Sequence, residues 1–312
     1  MESNNKNVQS KKNFQLHEHP WLALVAFLVT TVLTIGLTGT VIFEWIGLSR
    51  SSLAGSLAQE CSFKIISSLI IAPFILLLPK GKRIYGQFMD DIGLTMVRPF
   101  FQLVLLALSC YLILALSQVA ASFVYRLFEG KPVTWGFVRM VFELSRNLAP
   151  NSASLLFSIA GALEEVGSRG IILTVFLNRY SEWKSIIFSS LAFGLMHLLN
   201  LTNGANLVLV LGQVAWAFII GLFYGYVFVR TRSLLPSMVV HYLGNAFISS
   251  LLGYLQMWAS VEVQVVYGII FSFGIIPTAL MILWTRFFAS RWLLGKEIDN
   301  YAQNSLVKGR SS

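Results

Sequence analysis

Residues 159–173 read IAGALEEVGSRGIIL, which sets two adjacent glutamates and an arginine inside an apolar run. Taking charge out of water costs free energy unless the charge is paired. The run is therefore either a polar seam in a large soluble core or a membrane span whose charges have a task. Composition decides between these. The chain has 312 residues, 56% hydrophobic and 12% charged, against roughly 25% charged in soluble domains. Mean hydropathy is +0.70, and the apolar residues fall in long runs. The fold class that follows is all-α, a polytopic membrane protein.

Working outward from Glu164, eight segments approach the about 20 apolar residues a helix needs to cross the hydrocarbon. They are 21–43, 62–79, 99–123, 153–178, 184–203, 205–229, 234–254 and 264–286. The fifth and sixth are joined by a tight turn, TNGAN, at 202–206. If the N-terminus is cytoplasmic, most of the 23 Lys and Arg residues fall on the cytoplasmic side. Lys64 then belongs to the outer set, and Arg169 is left in the membrane. That bias gives an even number of spans and both termini inside, with the plasma membrane the expected location. Residues 1–20 and 291–312 read as polar cytoplasmic tails around one transmembrane domain, 21–290. The first apolar stretch is longer than a signal-peptide core and reads as a retained helix.

The net charge of +9 does not point to nucleic acid, because the basic residues are scattered between apolar runs and form no stripe. The expected partners are the lipid bilayer and a peptide. Cys61 and Cys110 lie in or beside apolar runs and read as small buried hydrophobes, not as a disulfide or a thiolate site. Trp21, Trp45 and Trp258 sit near span ends, as interfacial anchors do. In the connection 124–150, Phe137, Met140, Val141 and Leu144 recur at helical spacing. That pattern predicts an amphipathic helix lying on the membrane surface.

The chemistry gathers in three spans, the fourth, fifth and seventh. Intramembrane ionisable groups are functional hypotheses by default. Glu165 and Arg169 are four apart, share a helix face and can pair. Glu164 is turned about 100° away and is expected to stand without that partner, free to handle a proton. Phe193 and His197 are four apart in FGLMH. His241 and Asn245 are four apart in HYLGN, where imidazole and amide can both aim at a developing oxyanion. The same residues allow a second reading, in which Glu164, His197 and His241 hold a zinc ion. Gly161 and Gly167 are candidates for making room for substrate or for a neighbouring helix.

EEVGSR, FGLMH and HYLGN, at 164–169, 193–197 and 241–245, resemble the three signature motifs of the type II CAAX prenyl endopeptidase and bacteriocin-immunity family of intramembrane proteases. Order and spacing match over about 164–245, within a motif core of 159–247. The family pattern often carries an aromatic just before the motif arginine, where this chain has Ser168. The resemblance implies an intramembrane endopeptidase acting on a membrane-associated or prenylated peptide. Glu164 and His197 would activate water, Glu165 and Arg169 would set the first motif's geometry, His241 and Asn245 would stabilise the oxyanion, and Phe193 would shape the pocket. Family descriptions include both a zinc-dependent and a metal-free water, and the motifs fit both. Two rival readings are a non-enzymatic immunity or scaffold protein using the same cavity, and a proton-coupled transporter. Against the transporter, no second copy of the acidic motif occurs in another half of the chain.

Overall fold

The computed structural model describes residues 16, 19–38, 45–47, 52–73, 85–97, 99–147, 152–248, 260–272 and 274–293. Among these the chain is helical throughout and forms no strand. In chain order the helices are α1 (Pro20–Gly36), α2 (Leu53–Ile65), α3 (Tyr85–Asp91), α4 (Phe100–Phe128), α5 (Trp135–Asn147) and α6 (Ser152–Glu165). They continue with α7 (Glu182–Met196), α8 (Leu207–Thr231), α9 (Leu235–Leu243), α10 (Val261–Tyr267) and α11 (Ile275–Phe288). Several run on without a break. α2 passes into a π-helical stretch at Ile66–Ile71, α6 into one at Val166–Leu173, and α9 into one at Gly244–Ile248. α7 tightens to a 3₁₀ helix over His197–Asn203.

Local signals set the ends. Ser52 caps α2 by accepting from the Gly55 amide at 3.0 Å. Asn206 caps α8 by accepting from the amides of Val208 and Leu209. Just before it Gly204 takes a left-handed φ of 77°, so TNGAN is the turn its sequence suggests. Pro236 stands in the first turn of α9, where no intrahelical N–H is needed. On α1, Thr30, Thr31 and Thr34 donate to carbonyls one turn back, which satisfies hydroxyls that are buried in an apolar bundle.

Among the described residues, four helical stretches are long and apolar enough to cross a membrane: Phe100–Phe128, Glu182–Thr202, Leu207–Thr231 and Val261–Trp292. α4 shows why. Leu103, Leu106, Cys110 and Leu114 are buried against the bundle, yet Phe101, Leu105, Leu108, Leu112 and Leu116 are exposed on the other side. A helix apolar all round suits a protein interior on one face and lipid on the other. The chain is an integral membrane protein. The other four segments expected to span are also helical over their described residues. α1 has 17 residues, and α6, with its π-helical stretch and a last helical turn at Thr174–Leu177, carries Glu164, Glu165 and Arg169. Residues 39–43, 74–79 and 249–254, most of both polar tails, and Trp258 lie outside the described residues.

The amphipathic helix of the connection forms as α5, with a partner other than the one its pattern suggests. Phe137 and Val141 are buried, and they pack with Tyr125 against Val119, Phe123 and Tyr267. Phe137 meets Phe123 edge-on at 5.4 Å, and the Arg126 guanidinium lies 5.0 Å from its ring. Phe137 and Val141 of the apolar stripe are docked on α4 and α10.

α6 lies between α2 on one side and α9 on the other, with α7 against its π-helical stretch. Two apolar clusters adjoin this helix. One runs through Val166, Ile171 and Phe176 to Ile186 and Phe228, and the other through Leu106, Phe223, Tyr224 and Val240. Glu165 precedes Val166 and His241 follows Val240, so the polar residues meet where the two clusters face each other.

Candidate functional site

The last turns of α6 carry three different surfaces. Glu165 and Arg169 point into the bundle and are wholly buried, with Arg169 Nη1 donating to Glu165 Oε1 at 3.1 Å. The same carboxylate oxygen accepts from His241 Nδ1 at 2.9 Å. One glutamate therefore holds both the arginine of its own helix and the histidine of α9. A charge this deep must be compensated, and breaking such a pair on one side costs about 3–5 kcal/mol.

Arg169 is packed as well as paired. Its guanidinium carbon lies 4.3 Å from the centre of the Phe193 ring and 5.1 Å from that of Tyr224, within cation–π range. Ser168 contributes directly: its Oγ accepts from Arg169 Nη1 at 2.7 Å and donates to the Glu164 carbonyl at 2.6 Å. The residue that stands where the family pattern often has an aromatic is thus a hydrogen-bonding support of the arginine.

Phe193 links the other motifs. Its ring meets His197 edge-on at 5.1 Å and His241 edge-on at 6.2 Å. His197 sits where α7 tightens, with Nδ1 3.0 Å from the Phe193 carbonyl. A carbonyl can only accept, so Nδ1 carries the proton and Nε2 is left as an acceptor. Tyr224 of α8 stacks on His241 at 5.4 Å and 14°. It thereby covers both the histidine and the arginine.

His241 Nε2 and the Asn245 amide converge on the backbone at Gly161, one turn before Glu164. A side chain at 161 would collide with Asn245 Nδ2 and stand 3.4 Å from His241 Nε2. The missing Cβ is the space in which these two groups face a common point. Gly167 has a different purpose. A Cβ there would come within 2.9 Å of the Phe27 ring and 3.4 Å of Ser68 Oγ, so it lets α1 and the end of α2 approach α6.

Glu164 is the residue whose surroundings depart most from expectation. It is paired: Lys64 Nζ donates to its Oε1 at 2.9 Å and to the Ala160 carbonyl at 3.1 Å. Lys64 also lies 3.3 Å from Glu60 Oε2, one turn back on α2. Its side chain is only 12% exposed and that of Glu164 29%. Sequence reading counted Lys64 with the outer basic residues, at the start of the 62–79 span, because α2 begins earlier, at Leu53, in a stretch of small and polar residues that hydropathy passes over. Tyr224 is a further residue of the site that the motifs do not include. Its place among the apolar residues of GLFYGY, far from either end of α8, was the available signal.

All six charged or polar motif residues and Phe193 are thus brought to one locus, with Lys64 and Tyr224 added. A three-ligand metal is a different matter. Among the described residues no three His, Cys, Asp or Glu side chains stand close enough together to hold an ion. Glu164 Oε1 is already engaged by Lys64. Glu164, His197 and His241 do not fit a zinc site as arranged, and no step below is routed through a metal.

No curated protein and no solved structure matches the chain. A family model does: residues 147–247, which contain all three motifs, match the family described as type II CAAX prenyl endopeptidase Rce1-like, a family that implies a peptidase.

Proposed function

We propose that the protein is an intramembrane endopeptidase that hydrolyses a peptide bond of a membrane-associated, CAAX-type substrate with a water activated by Glu164 and His197. The observation that carries this reading is the meeting of His241 Nε2 and Asn245 Nδ2 at Gly161, one turn from Glu164. In this reading the water sits between the Glu164 carboxylate and Nε2 of His197. A proton passes from that water to Glu164 as its oxygen bonds to the scissile carbonyl carbon. The oxyanion that forms is met by the Asn245 amide and by His241, whose ring Glu165 holds in place. The proton on Glu164 then goes to the leaving nitrogen as the C–N bond breaks.

The architecture that accompanies this reading has eight crossings, with the motifs on the fourth, fifth and seventh, both termini cytoplasmic and the plasma membrane as location. Substrate would enter from the bilayer, and a prenyl group would partition there unaided.

The test uses purified protein in liposomes and a fluorogenic farnesylated CAAX peptide. Glu164→Ala and His197→Ala are expected to lower cleavage by a hundredfold or more while the proteins remain folded, a loss in line with that of a general base. Full activity in either variant would sink the mechanism. Cleavage that survives 1,10-phenanthroline supports the metal-free water. Loss to the chelator with recovery on added zinc would put the metal-bound form of the chemistry in its place. The second reading, a non-enzymatic immunity or scaffold protein, is favoured by one observation, that Glu164 is already engaged by Lys64. It requires wild-type function to persist in Glu164→Gln.

A further inference from the structure

α2 lies outside the three motifs, yet it reaches the site. Lys64 Nζ meets both a side chain and a backbone atom of α6, at Glu164 Oε1 and the Ala160 carbonyl. Those two atoms bracket one turn. That turn also contains Gly161, where His241 and Asn245 converge. Fixing it from the α2 side fixes how Glu164 is aimed relative to the groups of α9.

The charges make the same point. Arg169 compensates Glu165 within the bundle. Among the described residues no other Lys or Arg stands within ion-pair distance of Glu164, and burial without a cation disfavours the charged form of a carboxylate. A base must hold that charge until water arrives. Lys64 is held in turn by Glu60, which is 46% exposed. The cation thus stands between a carboxylate facing outward and one facing the site.

We propose that Lys64 is a positioning residue of the site: it keeps Glu164 ionised, holds Oε1, and leaves the other carboxylate oxygen to take the proton from water. Lys64 does not touch the reacting atoms. It acts through Glu164, and this role rests on the peptidase reading above.

Two measurements separate the failure of the one from the failure of the other. The first needs no substrate. It is a double-mutant cycle on thermal stability in detergent with Lys64→Met, Glu164→Gln and the pair. Coupled effects are expected, with the double variant more stable than the sum of the single losses. Additive effects would overturn the clamp. The second is cleavage of the farnesylated CAAX peptide. Lys64→Met is expected to lower kcat by tenfold or more with KM nearly unchanged, because the contact serves the base and not substrate binding. Lys64→Arg keeps a charge and a donor at that point and is expected to recover part of the loss. A wild-type kcat in Lys64→Met, with the protein folded, would overturn the positioning role. Coupling in the cycle with no cleavage by wild type would keep the clamp and remove the peptidase reading for this peptide.

Discussion

At the residue scale, the account turns on how a buried charge is kept. Glu165 is held by Arg169 and His241, and Glu164 by Lys64. Each carboxylate has its own cation, and that is why the apolar helix tolerates both. The pairing of Glu165 with Arg169 was legible, because a spacing of four fixes a shared helix face. The pairing of Glu164 with Lys64 was not, because the partners are 100 residues apart in the chain and only packing brings them together. Gly161 gives a direct test of the convergence. Gly161→Ala adds one methyl where Asn245 Nδ2 now lies. Peptide cleavage is expected to fall at least tenfold, with a loss of thermal stability far smaller than that of a broken buried ion pair. Unchanged cleavage would mean that the Asn245 amide is not held at that point.

At the element scale, hydrophobic periodicity found most helices and misjudged what some of them touch. α4, α7 and α8 were readable as long apolar runs. α2 was cut short because its first three turns are small and polar, and its start is set by the Ser52 cap rather than by hydropathy. α5 was read correctly as an amphipathic helix. Its stripe was assigned to lipid because a moment says which face is apolar and not what covers it. The structure seats Phe137 and Val141 on α4 and α10. Phe137→Ala should then destabilise the bundle by about 3 kcal/mol, as removal of a buried ring does. An unfolding titration in detergent reads this directly. A surface-bound α5 would instead lose membrane affinity and leave unfolding unchanged.

At the scale of the whole molecule, the family match covers 147–247, and the elements outside it complete the site. α2 supplies the cation for Glu164. α4 and α11, packed on each other and on α9 and α8, support the helices that carry His241 and Tyr224. The three motifs could be placed from sequence because each is a short helical repeat of chemistry-bearing residues. The relation between them is tertiary, and appears only when α6 is seen with α2 and α9 on its two sides. The central claim is that this assembly delivers a water to a peptide carbonyl. It is tested most directly by cleaving the farnesylated CAAX peptide in liposomes made up in ¹⁸O water, with the product read by mass spectrometry for wild type and Glu164→Ala. The account predicts a wild-type product whose new terminal carboxylate carries one solvent oxygen, and almost no product from Glu164→Ala. Equal product from the two proteins, or a wild type that makes none, would contradict it.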